Sequence, residues 1–196
     1  MDTPSVYNVI LALVRMNGGV FRGKTNVHKN LYLIGEMLRS SGVEVPYKFR
    51  PYYYGPYSAD ISDALDLLVG GSLLQANDIE LSRDESIEIK QTLYQLTERG
   101  KEAADAAIEP FSDFFDSFRS CFDVICNTGH HETTRIMATA AKIKLILSRE
   151  KDKPFNNDDL KSKASDFGWK LNGKDISASI NVLKATGLAK TRSRLS

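Results

Sequence analysis

Apolar residues recur at intervals of three and four along most of the chain, and this spacing predicts a succession of amphipathic helices. One clear stripe lies in residues 25–39, where Thr25 or Asn26 is expected to cap the helix. Residues 5–16 are so uniformly apolar that a buried helix is favoured while a buried strand stays open. The expected helices are 5–16, 25–39, 58–69, 97–107, 111–126, 131–149, 157–168 and 174–186.

Two stretches break the helical spacing and predict extended structure. Residues 43–57 are aromatic and interrupted by three prolines, which predicts a short extended segment with a turn. Residues 73–81 and 86–96 predict two strands of a β-hairpin around the charged tip Ser82–Glu85.

Two segments of the chain follow a similar pattern, which indicates two modules built in the same way. The segments LDLLVGGSLL (65–74) and INVLKATGLA (180–189) each place a helix, a glycine stop and the start of an apolar segment in the same order. The expected parts are an N-terminal domain at 1–108, a helical connector at 109–149 and a basic C-terminal module at 150–196. The helix 131–149 is assigned either to the connector or to the C-terminal module.

Several motifs in the first half of the chain resemble those of winged-helix proteins. They are YYYGPYS (52–58), GGSLL (70–74), YQLTERG (94–100) and the helix segment Lys29-Asn30-Leu31-Tyr32-Leu33. Over about residues 5–108 the chain is similar to small bacterial and archaeal winged-helix proteins and to Panacea-type antitoxin domains. The resemblance implies a mainly α fold with small β-hairpin wings, a winged helix-turn-helix, and a regulatory or antitoxin role. The final segment, about 130–196, resembles a second, degenerate winged helix.

Composition and charge narrow the class of protein. Two cysteines are too few for a disulfide scaffold and indicate a reducing cytoplasm. No apolar run approaches the roughly 20 residues that span a bilayer, and the N-terminal MDTPSVYNV lacks the basic region of a signal peptide. The overall net charge of +1 hides an asymmetry: residues 1–58 carry +4, residues 59–127 carry −10 and residues 161–196 carry +6. Such a distribution bears on partners and not on the fold.

The segment GGVFRGKT (18–25) matches the phosphate-binding pattern G-x-x-x-x-G-K-T letter for letter. In a nucleotide hydrolase Lys24 would contact the β- and γ-phosphates and Thr25 a magnesium ion. That chemistry needs a preceding strand in a parallel sheet, whereas the flanking pattern predicts helix, turn, helix and hairpin. A turn between two helices with a solvated Lys24 is therefore favoured.

Other candidate chemistry is sparse. Cys121, Cys126, His130 and His131 lie within eleven residues and offer four zinc ligands, but core packing is favoured because their spacing fits no standard zinc finger. His28 is expected at the surface. No nucleophile and base stand out together, so we expect a non-enzymatic protein without a cofactor.

The third helix of a winged helix usually lies in the major groove of DNA. Here that helix, residues 58–69, presents Asp60, Asp63 and Asp66, which would face a duplex carrying one negative charge per about 1.7 Å. A solvated face is favoured over a metal site for these aspartates, and DNA contacts are expected elsewhere, mainly on the C-terminal module. The alternative explanation for its lysines is solubility alone. The candidate DNA contacts are Lys174, Ser177, Asn181, Lys184, Lys190, Arg192 and Arg194, with Lys24, Lys29, Lys48 and Arg50 as further phosphate contacts.

A second hypothesis makes the N-terminal domain a protein-binding module of antitoxin type. Its acidic helix would suit a basic partner such as a toxin, and exposed tyrosines would supply anchors. Burial of about half of these tyrosines against the core is the alternative. A homodimer through residues 111–122 is also expected, because five phenylalanines there need to be covered. The candidate partner contacts are Tyr52, Tyr53, Tyr54, Tyr57, Asp60, Asp63 and Asp66.

Overall fold

The computed structural model describes residues 3–84, 87–149 and 156–189. The fold is mainly helical with two small antiparallel sheets, as the hydrophobic pattern predicted. The helices are α1 (Val6–Met16), α2 (Lys24–Ser40), α3 (Ala59–Gly70), α4 (Glu98–Ile108), α5 (Ser112–Asn127), α6 (Thr134–Arg149), α7 (Asn157–Ser165) and α8 (Gly173–Ala185). The strands are β1 (Val20–Arg22), β2 (Arg50–Tyr52), β3 (Gly55–Tyr57), β4 (Leu74–Asp84) and β5 (Ile87–Leu96).

The larger sheet has the strand order β1-β5-β4. The β4–β5 hairpin confirms the sequence prediction, although β4 extends beyond the predicted end at residue 81 to Asp84 and β5 starts at Ile87 rather than at residue 86. The side chains of the predicted charged tip lie outside the described residues. Strand β1 was not predicted. It pairs antiparallel with β5 and places Phe21 opposite Tyr94, both of which are buried. The sheet therefore covers one side of the helices α1 and α3.

The smaller sheet is a hairpin formed by the motif that the sequence marked as a turn. Strands β2 and β3 pair antiparallel, with Tyr52 opposite Gly55, so that Tyr53 and Tyr54 occupy the tip. Gly55 has φ +104°, in the left-handed region that favours glycine. A Cβ atom at this position would also lie 3.1 Å from Cγ of Lys142 on α6, so the hairpin approaches α6 closely.

Helix α2 lies at the centre of the molecule, in contact with α5, α6, β1 and β3. All residues from 26 to 35 are buried, including the polar ones, because neighbours pack around the helix on more than one side. The predicted cap on Thr25 or Asn26 is wrong. The helix starts directly after Gly23, which lacks a side chain to cap it, because the chain enters from β1.

The last three helices form a packed group in which α6 contacts both α7 and α8. Helix α7 starts at a capping box, in which Asn156 accepts hydrogen bonds from the helix amides and Asp159 accepts from the amide of Asn156. Since α6 also packs on α2 and on β3, apolar residues from both halves of the chain belong to one continuous buried cluster.

Helix α5 is covered within the chain. Phe114, Phe115, Phe118 and Phe122 are each 3% exposed or less, and Phe111 is half-buried. These rings are already covered by neighbours in the same chain. A dimer through this helix is therefore not needed to bury them. Homodimerisation itself stays a prediction. Among the described residues, no helix is both long enough and apolar enough to cross a membrane.

Candidate nucleic-acid interface

Helix α8 is amphipathic, and its inner side fixes its orientation on α6. Asn172 caps the helix by accepting a hydrogen bond from the Lys174 amide at 3.1 Å. Ile176, Ser179, Val182 and Leu183 are buried, and the hydroxyl of Ser179 donates to the Ile136 carbonyl at 3.0 Å. Because both apolar packing and a buried hydrogen bond hold the inner side, the outward side is presented in one defined orientation.

The outward side of α8 carries the four residues on this helix that the sequence singled out. Lys174, Ser177, Asn181 and Lys184 are all exposed, and their spacing of three, four and three residues places them along one stripe. The helix thus presents two ammonium groups with a hydroxyl and an amide between them.

The acidic residue of α8, Asp175, is turned inward. It is 3% exposed, and its Oδ1 lies 3.0 Å from Nε of Arg135 on α6. Since this carboxylate is buried and paired with a cation, it does not oppose the two lysines of the outward stripe. The described residues of α8 therefore present no carboxylate on that side.

Helix α3 presents an acidic exposed side, in contrast to the basic outward side of α8. Asp60, Asp63 and Asp66 are exposed, as the spacing predicted, and Leu67 beside them is 61% exposed. Sequence reasoning missed Leu67, which the helical pattern alone leaves at the edge of the buried face. An apolar side chain among carboxylates does not suit a phosphate backbone.

Lys24 lies next to this acidic face. Its Nζ is 3.1 Å from Oδ1 of Asp66, so it neutralises part of the charge of α3. The predicted phosphate contact of Lys24 stays a prediction, as do those of Lys48 and Arg50, which are exposed.

The GGVFRGKT segment is a turn followed by the short antiparallel strand β1. The amides of Gly18, Gly19 and Gly23 donate to the carbonyls of Arg15, Val14 and Thr92, respectively. A phosphate cradle needs such backbone N–H groups directed at the ligand, and these three are directed into the protein.

Lys29 is buried, so its predicted surface contact with phosphate is wrong. The residue is 3% exposed, and its ammonium group donates a hydrogen bond to the carbonyl of Pro56 in β3. Burial and, to a lesser extent, the nearby charge of Lys142 lower the pKa of Lys29 to about 7. The packing of α6 and β3 on α2 encloses this side chain.

His28 is also buried, and the expectation of a surface histidine is wrong. Its Nδ1 lies 2.9 Å from the Lys24 carbonyl and its Nε2 lies 3.1 Å from the Ser58 carbonyl. The ring stacks on Tyr57 with centroids 5.1 Å apart. Burial lowers the pKa of His28, although the two backbone carbonyls oppose this shift.

The tyrosines of the β2–β3 hairpin divide into two kinds. Tyr57 is half-buried against His28, whereas Tyr53 and Tyr54 are 77% and 73% exposed at the tip. Tyr52 is 46% exposed and contacts the rings of both Tyr53 and Tyr57. The hairpin therefore offers three exposed rings.

Trp169, in the turn between α7 and α8, joins this hairpin to the C-terminal helices, and the sequence did not single it out. It is 2% exposed and stacks on Phe167 with centroids 4.6 Å apart. The ammonium group of Lys142 lies 5.7 Å from the centre of its ring. The only tryptophan of the sequence, placed in a polar segment, was the signal that could have marked this position as a packing site.

The cysteine and histidine group does not assemble into a cation site in the described parts of the chain, where no three His, Cys, Asp or Glu side chains converge. Both cysteines are free and half-buried, and burial raises the pKa of Cys126 to about 11. His131 instead accepts a hydrogen bond through its backbone carbonyl from the buried Asn30 of α2.

Three of the candidate DNA contacts, Lys190, Arg192 and Arg194, lie outside the described residues. Comparison of the chain with protein-family models finds no matching family, and a search of curated proteins finds no similar sequence. The resemblance to winged-helix and Panacea-type antitoxin proteins therefore stays a prediction.

Proposed function

We propose that this protein is a non-enzymatic, DNA-binding regulatory protein of winged-helix type that contacts duplex DNA through the outward stripe of α8. The observation that carries the proposal is the charge arrangement of that helix. Lys174 and Lys184 flank Ser177 and Asn181 on the exposed side, while Asp175 is buried against Arg135. Lysines at the ends suit phosphates, and small polar groups between them suit base edges.

The proposed fold assignment rests on the order of elements. Residues 6–96 run α1, β1, α2, the β2–β3 hairpin, α3 and then the β4–β5 hairpin, with β1 completing the larger sheet. Apart from the inserted β2–β3 hairpin, this order is similar to that of a winged helix, in which the β4–β5 hairpin would be the wing. The acidic face of α3 supports assigning DNA contact to α8, the last helix of the α6–α8 group.

The test is the salt dependence of duplex binding, measured by fluorescence anisotropy. Each phosphate contact contributes about 0.9 to the slope of log K against log salt, so the Lys174→Gln/Lys184→Gln double variant should lower the slope by about two. The control variant Arg99→Gln/Lys101→Gln removes the same charge from α4. Equal slopes for the wild type and the α8 variant would contradict the proposal.

Base recognition is tested separately. A preferred duplex is first selected from a random pool with the wild-type protein. Asn181→Ala is then expected to lower the ratio of affinities for the selected and a random duplex by about tenfold, because a bidentate amide contact contributes about that much discrimination. A ratio unchanged by Asn181→Ala and by Ser177→Ala would limit α8 to phosphate contact.

A second candidate function is supported by the exposed Leu67. An apolar anchor surrounded by Asp60, Asp63 and Asp66 suits a protein partner with a basic rim, such as a toxin, better than it suits DNA. The tyrosine tip would extend this surface. The test is co-purification from the native host. A partner retained by the Lys174→Gln/Lys184→Gln variant and lost with Leu67→Ser supports this function, and a partner retained by both variants contradicts it.

A further inference from the structure

The β2–β3 hairpin and the turn between α7 and α8 together form a notch of about 270 Å³. Pro51, Tyr52 and Tyr53 line it from the hairpin, and Phe167 lines it from the turn. The walls are thus aromatic rings that come from distant parts of the sequence. We refer to this feature as the aromatic notch.

A second cavity, of about 280 Å³, shares Phe167 with the aromatic notch. Ile146, Arg149, Lys163 and Asp166 line it together with Phe167. The guanidinium group of Arg149 lies 5.0 Å from the centre of the Phe167 ring. The exposed guanidinium group of Arg149 can pair with an anion at this cavity.

Trp169 contacts both walls of the aromatic notch and holds them in place. This ring stacks on Phe167 at an interplanar angle of 16°, and its Nε1 donates to the carbonyl of Tyr52. One side chain therefore fixes both walls. Walls held in this way lose little conformational freedom when a ligand binds.

We propose that the aromatic notch and the adjoining cavity beside Arg149 bind a nucleotide. The base lies against Tyr53 and the edge of Phe167, and the phosphate lies beside Arg149. Stacking on tyrosine is available to every base because each has a flat π-face, and guanidinium groups pair well with phosphate oxygens. The notch suits an extended peptide less well. The indole N–H of Trp169 already donates to the carbonyl of Tyr52, so it does not donate to a peptide carbonyl.

This inference goes beyond the proposed function, because the notch is lined by residues other than those of the α8 stripe. A nucleotide here contacts both the hairpin and the turn that leads into α8, so it is suited to act as an effector. Duplex binding through α8 and nucleotide binding in the notch are measured with different ligands. Failure of one is therefore distinguishable from failure of the other.

The chain contains a single tryptophan, Trp169, so intrinsic fluorescence excited on its red edge reports on the aromatic notch. AMP, adenosine, TMP and an eight-residue oligothymidylate are titrated, and equilibrium dialysis confirms each affinity. We expect saturable fluorescence changes and a Kd for AMP about tenfold lower than for adenosine, the effect of one charged hydrogen bond. Tighter binding of the oligothymidylate than of TMP identifies single-stranded nucleic acid as the source of the nucleotide, and equal binding identifies a free nucleotide.

Two tyrosines provide a matched pair of variants. Tyr53 lines the notch and Tyr54 does not, yet both are at the same hairpin tip and similarly exposed, so neither substitution should disturb folding. Tyr53→Ala is expected to weaken nucleotide binding about tenfold, the effect of removing one stacking ring, and Tyr54→Ala to leave it unchanged. Arg149→Gln should abolish the difference between AMP and adenosine.

Three outcomes would overturn the proposal. The first is the absence of saturable binding of AMP, TMP and the oligothymidylate. The second is an equal effect of Tyr53→Ala and Tyr54→Ala. The third is displacement of the nucleotide from this surface by a proline-rich peptide that binds more tightly, which would make the notch a peptide site.

Discussion

The indole Nε1 of Trp169 donates a 2.7 Å hydrogen bond to the backbone carbonyl of Tyr52, a residue 117 positions earlier in the chain. This bond ties the turn that leads into α8 to the β2–β3 hairpin. Lys142 of α6 lies against both of these segments, over the Trp169 ring and beside Gly55 of the hairpin. The helix proposed to contact DNA is therefore positioned by the hairpin of the N-terminal half.

The Trp169→Phe variant tests this connection. Phenylalanine keeps a ring to stack on Phe167 but loses the N–H donor and part of the buried apolar area. We expect the free energy of unfolding to fall by about 2 kcal/mol, measured by urea denaturation. Tyr54→Phe, a change at an exposed ring, should leave it within about 0.5 kcal/mol of the wild type. Equal stability of Trp169→Phe and the wild type would show that the bond contributes nothing.

Lys29 makes stability depend on pH in a defined direction. Its pKa is about 7 in the folded protein because of burial and the charge of Lys142, whereas an unfolded lysine titrates near the ordinary value of 10.5. Between these values the unfolded chain holds a proton that the folded protein lacks, so this group makes stability rise with pH from about 7 to about 10.5. Below pH 7 both states are protonated and its contribution is constant and unfavourable.

Lys29→Met removes this effect. The stability of Lys29→Met relative to the wild type should be greatest at pH 6 to 7 and should decline steadily toward pH 10, as measured by urea denaturation across that range. Lys48→Met, at an exposed position, is the control and should show no such trend. A constant difference between Lys29→Met and the wild type would mean that Lys29 keeps an ordinary pKa when buried.

The ion pair between Arg135 and Asp175 is expected to be more important than those at the surface. Arg135→Met leaves the buried carboxylate of Asp175 without its cation, which should lower the free energy of unfolding by about 1–3 kcal/mol. Lys161→Met breaks an exposed pair with Asp158 on α7 and should change it by less than about 1 kcal/mol. Both are measured by thermal and urea denaturation, and equal effects would contradict the structural distinction.

Gly100 lies where α4 meets the start of the β4 strand. A Cβ atom there would be 2.0 Å from the carbonyl oxygen of Leu73, a backbone atom that is not free to move aside. Gly100→Ala should therefore lower stability by roughly 1–3 kcal/mol or more. Gly70→Ala, in α3 with open space around the position, should be neutral or stabilise the protein by up to about 1 kcal/mol. A neutral Gly100→Ala would mean that α4 can shift away from the sheet at little cost.

Local patterns determined the elements of this protein. The 3.6-residue spacing predicted helices close to all those observed, and Ser58 caps α3 as expected. The alternation of residues 73–96 predicted the hairpin, and the stripe on α8 predicted which of its side chains are exposed. Each of these features depends on neighbours within one or two turns or on one strand, which a linear sequence displays.

Tertiary contacts decided the rest. Strand β1 exists because the edge of β5 accepts it, with the Leu96 amide donating to Gly19 and the Gly23 amide to Thr92, and three residues are too few to show a period. His28 and Lys29 are polar residues that the sequence leaves at the surface, and α6 and β3 enclose them from outside their own helix. The aromatic notch likewise joins Tyr53 to Phe167. Burial and proximity of this kind arise when distant segments pack together, so the periodicity of any one segment carries no record of them.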